Sequence, residues 1–117
     1  MSAWKLTIRH GSDVVREEFD GLEQAIEGLR RHADAIRSEG PLETVGSLRD
    51  FDPGEQVHAR LEISSGGLLR RRDAGLDVMG DGTLVPFSGG VRRTELQLQD
   101  GQSAFDAIGA ALAHAGR

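Results

Sequence analysis

Three kinds of side chain in this sequence could do chemistry: a few histidines, one misplaced carboxylate and a group of arginines. His10 follows Arg9 and precedes Gly11 at the end of an apolar run, so an imidazole able to act as nucleophile or base stands next to a guanidinium. Glu17 shares the parity of Trp4, Leu6, Ile8, Val15 and Phe19 and so falls on the face expected to be dry. A carboxylate in apolar surroundings favours its protonated form and can serve as a general acid or base. His58, between Val57 and Ala59 on the wet face of an alternating strand, is a further titrating residue. His10, Glu17 and His58 are therefore the candidate catalytic residues. In the run Arg70-Arg71-Arg72, strand alternation puts Arg70 and Arg72 on one face, beside Arg60 and Arg92. Guanidinium groups gathered there would grip a carboxylate or phosphate through paired hydrogen bonds, which makes these four the candidate site for a small anionic ligand. The alternative is a solvated face whose arginines pair with Glu62, Asp73, Asp77 and Glu95.

Spacing removes other chemistries. His10, His32, His58 and His114 show no H-x-x-x-H or H-x-H pattern, so a metal site would have to be assembled from distant elements; no metal and no cofactor is expected. The glycine-rich "SSGGLL" and "SGGV" lack nucleotide-loop spacing, and no serine sits in a G-x-S-x-G elbow. "GDG" at 80 to 82 lacks the repeated acids of a calcium loop. With no cysteine there is no disulfide, thiolate nucleophile or cysteine-bound zinc.

The triplet Arg9-His10-Gly11, with its apolar lead-in at 6 to 8, resembles the signature of the histidine phosphatases. That resemblance implies a histidine that attacks phosphorus and an arginine that holds the phosphate, on a loop leading from a parallel strand into a helix. The family also needs a second histidine with an acidic neighbour, and neither His58 nor His114 has that context. Here the following "SDVVREEF" returns as a strand, so the expectation is a hairpin turn at Gly11-Ser12, with the phosphatase a remote alternative.

Periodicity lays out the strands and helices that carry these side chains. A two-residue turn sets Trp4 against Phe19, Lys5 against Glu18, Thr7 against Arg16 and Ile8 against Val15. Leu22, Ala25, Ile26, Leu29, Ala33 and Ile36 recur at helical spacing from Leu22 to about Ser38; Asp20 is the expected N-cap, and "EGP" at 39 to 41 the stop. "LETVGSLRDF" and "EQVHARLEI" read as strands, with Val57, Ala59, Leu61 and Ile63 alternating against His58, Arg60 and Glu62. A type I′ turn at Asp81-Gly82 would close a second hairpin with Val78 facing Val85 and Leu76 facing Phe87. "VRRTELQLQ" follows as a strand with Leu96 and Leu98 inward, and a helix starts near Ser103, with Asp106 three residues on as in a capping box.

This order predicts one α+β domain over residues 1 to 117. It is a largely antiparallel, meandering sheet of about six strands in the order ββα-ββββ-α, with two helices on one face. The chain's 117 residues, 38% apolar and 28% charged, belong to a soluble globular class; no run is long and apolar enough to span a bilayer, and no signal-peptide pattern is present, so the expected compartment is the cytoplasm. A net charge of −5 argues against nucleic acid as a partner. No constellation meets the requirements of an active site. The reading is a non-enzymatic binding or regulatory module, homodimeric, that meets a protein partner through an open sheet face or Gly-rich loops. An anion-binding protein or enzyme on the arginine face is the alternative.

Overall fold

The computed structural model describes residues 4–39, 57–65, 73–89 and 93–114. Strands β1 (Trp4–His10) and β2 (Asp13–Phe19) form the first hairpin, followed by helix α1 (Leu22–Arg37), strands β3 (Val57–Ser65), β4 (Asp73–Met79), β5 (Leu84–Ser88) and β6 (Thr94–Glu95), and helix α2 (Ala104–His114). The six strands form one antiparallel sheet in the order β2-β1-β3-β4-β5-β6. The chain is α+β, as its periodicity predicts. The expected strand at 42–51 lies outside the described residues.

Alternation sorts the sheet into a dry face and a wet one. Leu6, Ile8, Ala59, Leu61, Ile63, Ala74, Leu76 and Val78 make the dry face, which packs against Ala25, Leu29, Ala33 and Ile36 of α1 and Phe105, Ile108 and Leu112 of α2. Both helices thus cover one side. No helix among the described residues is long and apolar enough to cross a membrane.

The first hairpin has the expected register, with Trp4 opposite Phe19, Lys5 opposite Glu18, Thr7 opposite Arg16 and Ile8 opposite Val15. Of its two turn residues only Gly11 has positive φ (63°), the pattern of a type II′ turn. The second hairpin is shifted by one residue from expectation: Val78 faces Leu84 and Leu76 faces Pro86. Its loop holds three residues, Gly80 to Gly82, because Met79 and Thr83 already close the ladder and Asp81 Oδ1 accepts the Thr83 N–H at 2.9 Å. Gly82 alone takes positive φ (90°), as in a type I turn ended by a glycine bulge. The shift turns Phe87 away from the helices onto the opposite face, where it sits opposite Gly75.

Three other expectations change. The α1 N-cap is Gly21, extended and without a side-chain cap, and its carbonyl accepts the Ala25 N–H; Asp20 lies one residue too early. Strand β6 is only Thr94–Glu95: Leu96 packs on the core, but the chain then leaves the ladder and Leu98 is exposed. Val57 is exposed as well, because β3 carries a register irregularity at its start. The α2 start follows expectation, with Ser103 Oγ accepting the Asp106 N–H and Asp106 Oδ2 accepting the Ser103 N–H, both at 3.1 Å.

Candidate functional site

His10 ends β1 on the helix-covered side, directly opposite Ala59 of β3. At this end of the sheet, β3 advances from Val57 to Ala59 while β4 moves only from Met79 to Val78, which leaves His58 as an extra residue. A bulge of this kind re-aims a side chain that strict alternation would send to the other face. It brings the His58 ring against the His10 ring, edge to face with centroids 4.7 Å apart and the two Nε2 atoms 3.1 Å apart. The third component comes from α1. Ser38 caps the helix and the Glu39 N–H donates to the Ile36 carbonyl, which holds Glu39 over the same end of the sheet. Its Oε1 lies 3.3 Å from His10 Nε2 and 3.9 Å from His58 Nε2. His10 and His58 are 28% and 19% exposed, so the donor atoms meet at the rim of the core, within reach of solvent.

Of the candidate catalytic residues, the structure therefore brings His10 and His58 together and sets Glu17 apart. Glu17 is half-buried on edge strand β2, and its Oε1 accepts a hydrogen bond from His32 Nε2 on α1. The partner of this misplaced carboxylate is a histidine. A signal for it exists in the sequence: His32 continues the stripe Ala25, Leu29, Ile36 that faces the sheet. One polar residue on each of two facing apolar surfaces predicts the other. Glu39 carries no comparable signal, because nothing local says where a residue beyond a helix end will reach.

Arg9 and His10 alternate to opposite sides of β1: Arg9 is exposed and lies opposite Arg60 and Val14, whereas His10 faces the site above. The arginine and histidine of the phosphatase-like triplet thus diverge. Among the candidate anion ligands, Arg60 makes a forked ion pair with Asp77, Nε to Oδ1 at 2.7 Å and Nη2 to Oδ2 at 3.1 Å. The Asp77 hydrogen bonds raise the guanidinium's pKa above its already high ordinary value. Arg60 also lies 5.9 Å from the Phe87 ring centroid, and exposed Arg93 stands 5.1 Å from the same ring. Arg70, Arg72 and Arg92, and the side chain of His114, lie outside the described residues.

No protein family, curated protein or solved structure matches the chain.

Proposed function

We propose that this chain is a non-enzymatic binding module that works as a homodimer, formed when β2 pairs with β2 of a second copy. The observation that carries the reading is the composition of that edge. Strand β2 has seven residues and no proline, pairs among the described residues only with β1, and exposes Val14 and Val15 at 43% and 45%. A long edge without proline or a bulge keeps its outward backbone groups in line for another strand, and its charged residues, which oppose indiscriminate pairing, restrict the partner to one of matching charge.

Geometry narrows how a copy would fit. The residues flanking a two-residue turn exchange both backbone hydrogen bonds, so alternation points the N–H and C=O groups of Asp13, Val15, Glu17 and Phe19 at β1. Those of Val14, Arg16 and Glu18 point outward. Antiparallel pairing about a two-fold axis at Glu17 sets outward-pointing Arg16 opposite Glu18 of the copy, twice by symmetry. It also sets exposed Val15 opposite Phe19 and Glu17 opposite Glu17 of the copy, a like-charge pair in which each carboxylate keeps its own His32 as partner. Opposite charges and apolar groups directly across a strand pair both stabilise it. The two sheets would join into one, with the described helices of both copies on one side and the face that carries Arg60 continuous on the other. That continuous face is where the module would meet its partner.

The test is light scattering on the full chain and two variants. The parent should be dimeric. Arg16→Glu puts carboxylates opposite each other and should weaken dimerisation at least about tenfold, since cross-strand pairs contribute up to about 1 kcal/mol each and change sign here. Adding Glu18→Arg to that variant restores complementarity and should recover the dimer. A parent that is monomeric, or a dimer indifferent to both changes, would overturn the reading.

A further inference from the structure

We infer that His10, His58 and Glu39 form a binding site for a divalent first-row transition-metal ion. Three separate elements deliver one donor atom each to the same point, and the ligating atoms all lie within 4.8 Å of one another. One of the three reaches it only through the β3 bulge, which sacrifices ladder register to turn His58 inward.

The spacing fits an ion. Zinc binds imidazole nitrogen and carboxylate oxygen at about 2.0–2.2 Å, which places the donors of a tetrahedral site about 3.4 Å apart. The separations here are 3.1, 3.3 and 3.9 Å. A metal would enter with side-chain movements of a few tenths of an ångström, and half-exposed Glu39 has the freedom to make the largest of them.

Proton bookkeeping points the same way. His10 Nε2 lies 3.1 Å from His58 Nε2 and 3.3 Å from Glu39 Oε1, and a neutral imidazole carries a hydrogen on only one of its two nitrogens. A cation set among the three atoms would be a partner for all of them at once. Two neutral imidazoles and one carboxylate would hold a dication with a net charge of +1, which leaves room for water or an anionic group of a further ligand.

The donor set also selects the class of ion. Magnesium and calcium take oxygen donors almost exclusively, whereas imidazole suits zinc, copper, nickel, cobalt and iron. Two histidines and a carboxylate form an open, three-donor set, unlike the closed four-donor sets of structural zinc. This inference is independent of the dimer, because all three donors come from one chain.

The test is calorimetric titration of the full chain, stripped with a chelator, using zinc chloride, together with the visible absorption of the cobalt(II) form. One ion per chain is expected, with cobalt bands shifted and intensified relative to the hydrated ion. Glu39→Gln, which changes an exposed side chain and leaves the fold intact, should weaken zinc binding at least about tenfold. His10→Ala with His58→Ala should abolish it, and folding of that variant is checked by circular dichroism. His32→Ala removes the other half-buried histidine among the described residues and should leave the affinity unchanged. Absence of saturable binding by the parent, affinity unaltered in Glu39→Gln, or a loss in His32→Ala equal to that in the histidine pair would overturn the assignment.

Discussion

The two edges of the sheet are built in opposite ways. At one, β2 runs seven residues in unbroken register along β1. At the other, β6 makes two ladder pairs, Phe87 with Glu95 and Ser88 with Thr94, before the chain departs toward α2 with a last hydrogen bond from Leu96 N–H to the Pro86 carbonyl. Short edge strands are one way that proteins keep sheets from growing, and β6 is an example of it. Strand β2 is not shortened in this way; its charged residues, four in seven, select the partner instead. An edge left long, unbroken in register and free of proline can be extended by a matching strand, and the proposed dimer uses it. The same contrast explains why the hydrophobic pattern of "TELQLQ" misleads: alternation marks Leu98 as inward, but no partner strand continues to receive it, and it lies 47% exposed.

The contrast can be broken by giving each edge the same lesion. Because the Arg16 N–H points outward, Arg16→Pro costs the monomer no ladder bond but removes one intersubunit hydrogen bond from each side of the dimer. At about 1.5 kcal/mol each, these losses should weaken dimerisation about 100-fold while circular dichroism stays that of a folded chain. Sedimentation velocity across a dilution series reads this effect, the largest expected.

A smaller effect concerns what ends the β6 edge. Ser103 caps α2 just beyond it, and Ser103→Ala should lower stability to urea by about 1 kcal/mol with dimerisation unchanged. The Asp106 carboxyl, held below its ordinary pKa chiefly by the backbone hydrogen bond from Ser103, adds a pH dependence. A depressed carboxyl stabilises the fold above its unfolded pKa of about 3.9, and that contribution disappears as pH falls through the folded value. Acid titration of Asp106→Asn should therefore show a shallower stability loss below about pH 4 than the parent.

The smallest effect is the mirror of the first. Since Leu96 donates inward, the Glu95 N–H points outward, and Glu95→Pro should leave the dimer's dissociation constant unchanged. A loss there comparable to that of Arg16→Pro would move the interface to the wrong edge.

What the sequence discloses follows the range of the forces involved. The first hairpin is legible to the residue, because its turn and four cross-strand pairs agree on one register. The second is legible as a hairpin but not in register: Asp81-Gly82 reads as a two-residue turn, and nothing in the pattern announces that Gly80 joins the loop. Glu17 is identifiable as out of place by parity alone, and its partner His32 by the facing stripe. The meeting of His10, His58 and Glu39 is not legible, because it depends on a bulge without a local signature and on where a helix ends relative to two strands. Spacing rules find metal ligands that share an element, and these share none.

Whether β2 is the assembling edge is read from residue-resolved amide hydrogen exchange of the full chain at high and low concentration. The outward amides of Val14, Arg16 and Glu18 should be protected at high concentration and lose that protection on dilution. The inward amides of Val15 and Glu17 should change far less, and Gln97 and Leu98 should exchange freely throughout. Outward amides of β2 that exchange fast at every concentration would contradict the claim.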